Sequence, residues 1–238
     1  MQRVLIKNNL DELTTAAVGL FIATAIESIA MRGKFSVALA GGSTPRAAYS
    51  QLASDTYREK VDWSKVTFFI GDERNVSPDS DESNYRMANE TLFAPLGINS
   101  KKVHPWKTEL DPSEAAAEYQ NKLQANGPLD LIILGLGPDA HIASLFPHTE
   151  ALQETERLAV ANWVEELGDH RLTMTFPAIN AARDIIFLVS GDEKAGAVAS
   201  VLEGPYRPDD LPAQRVKPAS GNLIWLLDAH AAARLKQR

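Results

Sequence analysis

The stretch Leu129-Asp-Leu-Ile-Ile-Leu-Gly-Leu-Gly-Pro-Asp-Ala-His141 decides the fold class. Its first half is a short apolar, β-branched run; its second half is a glycine turn that delivers an acid and an imidazole two residues apart. A run that is apolar on both faces belongs to a strand covered by helices on both sides, and such strands pair in parallel. Four more runs share this character: Phe35–Ala40, Val66–Ile70, Ile185–Val189 and Leu223–Leu227. Helical patterns separate them. Asn9 or Asp11 caps a helix that runs to about Arg32, where Gly33 ends it. Asp111-Pro112-Ser113-Glu114 supplies an N-cap, a proline at the first helical position and a glutamate two residues on, and Asn126-Gly127 closes that helix. Gly191-Asp192 opens another, ending near Gly204-Pro205. Alternating strand and helix predicts an α/β fold, a mostly parallel sheet with helices on both faces.

One region breaks the rhythm. Leu158–Val164 and Arg171–Thr175 read as two short strands around the turn Glu166-Leu167-Gly168-Asp169. They predict a small antiparallel excursion around 158–175, within a single domain spanning 1–238. Glu203–Pro218, rich in proline and charge, reads as a loop, and Trp63, Trp106, Trp163 and Trp225 read as packing residues.

The chain has 238 residues, with 24 Lys and Arg against 31 Asp and Glu, for a net charge of −7. That balance argues against a nucleic-acid surface, which needs clustered cation. An anion site here has to be a small cationic pocket in an acidic body. The absence of cysteine removes disulfides, thiolate zinc sites and thiol nucleophiles. Five histidines with no i, i+4 pair argue against a histidine-rich metal site. Met1–Asn9 is too short of apolar residues for a signal peptide, and Ala16–Met31, broken by Thr24, Glu27 and Ser28, reads as a buried helix. The expected compartment is the cytoplasm, with no membrane partner.

In open α/β sheets ligands bind beyond the carboxyl ends of strands. The first such end carries Gly41-Gly42-Ser43-Thr44-Pro45, which reads either as a phosphate cradle opening a helix or as a well-capped tight turn. It lacks the lysine and spacing of a nucleoside-triphosphate loop. The second carries Asp72-Glu73-Arg74, where Arg74 is suited to clamp a phosphate or carboxylate; the plainer reading is a self-neutralising surface loop. The third carries Asp139 and His141: a general base near neutrality, with the acid orienting it or touching substrate. Gly135, Gly137 and Ala140 also match a dinucleotide fingerprint, but no acid ends the following strand and Pro138 and His141 sit badly where a pyrophosphate would go. Arg171 begins the second strand of the excursion. Lys194 lies in the first turn of a helix, where it opposes the dipole; it wants an anionic partner unless it is simply solvated. His104, His148, His170 and His230 have no comparable setting.

Taken together these segments resemble the 6-phosphogluconolactonase family. The resemblance rests on Gly41–Pro45; Asp72-Glu73-Arg74 followed by Ser83-Asn84; Gly135 to Pro147; Arg171-Leu-Thr-Met-Thr175; Gly191-Asp-Glu-Lys194; Pro212-Ala213; and Trp225-Leu-Leu-Asp228. The middle motif is shared with glucosamine-6-phosphate deaminases, whereas Ser144-Leu-Phe-Pro147 and Asp72-Glu73-Arg74 favour the lactonase branch. The resemblance implies hydrolysis of 6-phosphoglucono-1,5-lactone in the oxidative pentose phosphate pathway, without metal or cofactor. It implies a Rossmann-like fold shared with ribose-5-phosphate isomerase and the deaminases. His141 would be the base, with Asp139 beside it; Gly41, Gly42, Ser43, Thr44, Asp72, Arg74, Arg171 and Lys194 would bind the sugar phosphate. A monomer or homodimer acting on a small molecule is expected. Two positions depart from the family: Ala140 stands where glycine is usual, and Ile142 where threonine is frequent. Ile142 keeps an amino-sugar-phosphate deaminase open as an alternative, and Ala140 keeps a non-catalytic sugar-phosphate binder open. If the backbone at 140 has positive φ, alanine there costs about 1–2 kcal/mol.

Overall fold

Runs with no polar face form the centre of the molecule, because both sides of each strand must be covered. The computed structural model describes residues 2–236; Met1, Gln237 and Arg238, the ends of the expected 1–238 domain, lie outside the described residues. In chain order the elements begin β1 (Gln2–Lys7), α1 (Leu10–Arg32), β2 (Phe35–Leu39), α2 (Ser43–Leu52), β3 (Val66–Ile70), β4 (Asp72–Arg74) and α3 (Asn84–Ala88). A short α4 (Ala94–Leu96), β5 (Val103–His104), α5 (Pro112–Asn126), β6 (Leu131–Leu134), β7 (Ala159–Val164) and β8 (Asp169–Met174) follow. The chain ends with α6 (Phe176–Asn180), β9 (Asp184–Val189), α7 (Ala195–Glu203) and β10 (Asn222–Asp228).

Seven strands make one wholly parallel sheet in the order β1-β10-β9-β6-β2-β3-β5. The chain builds outward from β2 through β3 to β5, then returns to place β6 on the other side of β2. The switch point therefore lies between β2 and β6, where the crevice of an open sheet forms. The expected excursion is a second sheet, β4-β8-β7, antiparallel throughout. Gly71 joins the two sheets: its N–H donates to Leu39 O at 2.9 Å, and its carbonyl accepts from Met174 N at 3.0 Å.

Local signals set the helix ends. The Asn9 side chain accepts from Glu12 N and caps α1, and Gly33 ends it in the left-handed conformation at φ 73°. α1 is long and apolar enough to cross a bilayer by length alone, yet Leu13, Ala17, Phe21 and Ala25, spaced by four, are buried on one face. Asp111 caps α5 through Ser113 N, with Pro112 in the first turn.

Several expectations need correcting. The sequence pattern does not predict β1: it is an edge strand whose first half is exposed, so it lacks the doubly apolar run. β5 is two residues long, too short for any pattern. Asp72-Glu73-Arg74 is a strand, not a free loop. The loop Glu203–Pro218 holds a 3-10 turn at Pro212–Arg215. The residues after Gly191 first form a 3-10 turn, Asp192–Lys194, so Lys194 immediately precedes α7. Trp106 and Trp225 are buried, but Trp163 is half exposed, its indole N–H held by Glu165 at 2.8 Å.

Where β2 and β3 run out, two buried tyrosines replace the lost ladder. Tyr49 Oη accepts from Ala40 N and donates to Ala40 O, both at 3.0 Å. Tyr119 Oη accepts from Ile70 N and donates to Ile70 O, both at 2.8 Å. Burial pushes both phenols well above their ordinary range, so they remain neutral donors. Tyr49→Phe leaves the buried N–H of Ala40 without its partner and is expected to cost about 1–3 kcal/mol. A lowered urea midpoint at unchanged slope would register this; an unchanged midpoint would show that the strand end finds another partner.

Candidate active site

Four strand ends meet in one cleft of about 400 Å³, a size suited to a small ligand. β2 contributes Gly41 to Thr44, β3 leads through Gly71 to Asp72 and Arg74, β6 gives Gly135 to His141, and β9 gives Ser190 to Lys194. Of the sequence candidates, Gly41, Gly42, Ser43, Thr44, Asp72, Arg74, His141 and Lys194 line it together. Asp139 and Arg171 do not. Asp139 sits behind His141, and Arg171 lies opposite Arg74 in the β4–β8 register, with its guanidinium on Asp169 at 3.2 Å. Ser190, Asn84 and Glu193 also line the cleft. The strand-end rule could have found Ser190; Asn84 is signalled only by the Ser83-Asn84 part of the resemblance and is not among the expected site residues.

The wall from β2 is built for an anion. Gly42 is the N-cap of α2 and has no side chain to occupy the first free N–H groups of that helix. Thr44 Oγ1 lies 2.7 Å from Ser190 Oγ, tying the start of α2 to the end of β9. Arg74 donates to Glu82 O at 3.1 Å. Among the described residues neither Arg74 nor Lys194 forms an ion pair, while twelve other arginines and lysines do.

His141 is held from two sides. Asp139 Oδ1 lies 2.6 Å from its Nδ1 and accepts its backbone N–H at 3.2 Å, and Phe146 stacks on the ring at 4.1 Å. An ionised Asp139 keeps the ring proton on Nδ1 and leaves the lone pair on Nε2. Burial pushes the Asp139 carboxyl up, but the hydrogen bonds and charge of His141 outweigh it and hold the carboxyl below its ordinary value.

Ala140 has φ 65°, so the strained alternative is the one observed. About 1–2 kcal/mol of left-handed strain is offset by a fully buried methyl worth about 0.8 kcal/mol and by glycine's extra backbone entropy of about 0.5–1 kcal/mol. The terms nearly cancel, which explains how alanine persists here. Gly137 is different: a Cβ there would overlap His141 Nδ1, His141 Cε1 and Asp139 Oδ1.

The two acids of β4 have separate tasks. Glu73, 2% exposed, accepts from Arg74 N, Asn84 N, Tyr85 N and Ser83 Oγ at 2.8–3.1 Å. It is a fastener between β4 and α3. Burial pushes its carboxyl up against these donors. Asp72 lines the cleft, and burial raises its carboxyl despite the Ser144 hydroxyl and the nearby charges of Arg74, His141 and Arg171.

A parallel sheet with its crevice at the switch point, carrying an imidazole–carboxylate pair and two cations without ion-pair partners, defines an α/β protein with a cleft suited to a small anion. The family model for glucosamine-6-phosphate isomerases/6-phosphogluconolactonase matches residues 8–225, and the chain belongs to that family. It is 40% identical over 245 residues to the 6-phosphogluconolactonase of Nostoc sp. (strain PCC 7120 / SAG 25.82 / UTEX 2576), covering 98% of this chain and 95% of that one. Its structure is similar to that of 6-phosphogluconolactonase from Trypanosoma brucei, with TM-score 0.86, 30% identity and 99% of each chain covered. A monomeric glucosamine-6-phosphate deaminase of the NagB superfamily, 24% identical with TM-score 0.84 over 98% and 99% of the two chains, shares the fold.

Two substitutions test this geometry. Gly137→Ala should leave the melting temperature nearly unchanged while pushing the imidazole off Asp139, which an altered His141 ring resonance would report. Asp72→Asn should stabilise the protein. A carboxyl whose folded value is raised destabilises the native state above that value, so the gain in urea midpoint should be full there. It should shrink as pH falls and vanish below the ordinary aspartate value of about 3.9. A loss of stability at neutral pH would refute the sign.

Proposed function

We propose that this protein hydrolyses 6-phospho-D-glucono-1,5-lactone to 6-phospho-D-gluconate, the lactone-opening step of the oxidative pentose phosphate pathway. One observation carries the reading. Two cations without ion-pair partners, Arg74 and Lys194, line the same cleft as an imidazole whose Nδ1 is engaged by Asp139. The family and the lactonase relatives support the substrate.

In this mechanism His141 Nε2 takes a proton from water as its oxygen attacks the lactone carbonyl carbon. The tetrahedral intermediate collapses with cleavage of the bond to the ring oxygen, and the imidazolium returns the proton to that oxygen. Arg74, which together with His141 and Arg171 acts electrostatically on Asp72, belongs to the carbonyl end and stabilises the developing oxyanion. The α2 N-terminus, the Thr44–Ser190 pair and Lys194 form the other end and hold the phosphate, with Gly41, Gly42 and Ser43 against the sugar. Asp139 orients the base. We assign the reaction to the cytoplasm, on the ground that the substrate is a phosphorylated metabolite, and to a monomer or homodimer.

Fresh lactone, assayed against a no-enzyme control, tests the scheme. His141→Ala is expected to lower kcat by about 10²–10⁴-fold while product still binds; near-normal turnover would remove it as the base. Lys194→Ala should raise KM for the phosphorylated lactone and leave unphosphorylated gluconolactone unaffected. Equal effects on both would take Lys194 off the phosphate.

A further inference from the structure

Ser144 opens the segment Ser144-Leu-Phe-Pro147, of which the chemistry above uses only Phe146, stacked on His141. Its hydroxyl donates to Asp72 Oδ2 at 2.7 Å, and both residues are buried, at 2% and 8% exposure. Its main chain is fixed independently. The N–H donates to Thr173 Oγ1 at 3.1 Å, and the carbonyl accepts from Asn162 Nδ2 at 2.9 Å. The backbone just before it is strained. Ala143 has φ 45°, and with Ala140 at 65° it brackets His141 and Ile142 between two left-handed alanines. Single residues keep such conformations only where their surroundings over-determine them, and they cluster at functional sites. The result is one short segment that aims His141 at Asp139 and Ser144 at Asp72.

Asp72 is the group this arrangement serves. It faces Arg74 and Glu73 on its own strand, Arg171 from β8, His141 from the loop after β6, Tyr49 from α2 and Tyr119 from α5. Loss of water disfavours its charge, Glu73 opposes it, the two phenols stay neutral, and the three cationic or basic groups favour it. The Ser144 hydroxyl is the side-chain donor in direct contact with it.

We propose that Ser144 is a positioning residue, whose hydroxyl keeps Asp72 ionised and aimed into the cleft as an acceptor for a hydroxyl of the substrate. The substrate half of this statement rests on the lactonase reading of the cleft; the coupling of Ser144 to Asp72 does not. A protonated Asp72 presents a donor where the sugar also presents one, so binding weakens as the proton goes on. Losing the Ser144 hydroxyl moves that event to higher pH.

Ser144→Ala deletes this one bond and retains both main-chain anchors, so the fold survives. The carboxyl carbon of Asp72, assigned by its disappearance in Asp72→Asn, is titrated by NMR without substrate, and kcat/KM is measured against pH in parallel. The midpoint should rise by about one unit in Ser144→Ala, the scale of a hydrogen bond to a charged group. The acid limb of kcat/KM should move upward by the same amount. That is a loss of about tenfold below the limb, recovering toward the parent value above it. In the Asp72→Asn background, introducing Ser144→Ala as well should leave kcat/KM unchanged within about twofold. An unmoved midpoint, a loss equal at every pH, or a full loss in the Asp72→Asn background would each overturn the proposal. A moved midpoint in a protein that opens no lactone would uphold the coupling and overturn the substrate assignment instead.

Discussion

The backbone of a single residue, Gly71, fastens the two sheets of this protein to each other. Its N–H completes the main sheet at Leu39, and its carbonyl receives Met174 of the small sheet. Beyond it the chain cannot continue as β3; it turns into β4, and Asp72 and Arg74 are thereby delivered to the cleft rather than to solvent. The neighbouring carboxyl ends of β2 and β3 depend on the same kind of constraint. Ala40 lies past the last β2–β3 pair and Ile70 past the last β3–β5 pair, and a buried backbone group without a partner is costly, so Tyr49 and Tyr119 supply hydroxyls from helices on the sheet faces. The cleft is the space left where four strands stop and their backbone is satisfied from elsewhere.

Charge is distributed unevenly around that space. Carboxylates with structural tasks are saturated: Asp130 accepts from Ser36 N at 2.8 Å and pairs with Arg32 at 2.8 Å, and Glu73 takes four donors. Twelve cations elsewhere in the described residues sit beside acids, among them Arg46, Arg86 and Arg207. Arg74 and Lys194 are left without carboxylates. An acidic body with two such cations in a concave site repels polyanions at long range while attracting a single compact anion at short range.

Strain is concentrated in the same place. Ala140, Ala143 and His148 are the non-glycine residues with positive φ among those described, and all lie in the nine residues from 140 to 148. The loop spends conformational energy where the imidazole and the Ser144 hydroxyl must be placed, and buried neighbours hold it there. A glycine at 140 would relax the backbone at one point; the buried methyl and the lower backbone entropy of alanine together offset most of that difference.

Much of this was legible in the chain itself. The five doubly apolar runs became central strands, the caps at Asn9 and Asp111 acted as read, and the motifs at Gly41, Asp72, Asp139 and Gly191 each followed a strand of the main sheet. β1 and β5 were not legible, because an edge strand and a two-residue strand have no burial pattern until their neighbours exist. The structural task of Glu73 and the Ser144–Asp72 pair were equally invisible, since their partners lie 10–12 and 72 residues away. Residue order by itself determined which segments are strands and which carry reactive side chains, because burial on both faces and turn chemistry are local properties. Only the tertiary structure decided that β2 lies between β6 and β3 and that Thr44 touches Ser190 across 146 residues. Parallel strands with the same apolar pattern are interchangeable to a local reading, so their neighbours are settled by how the connecting helices pack.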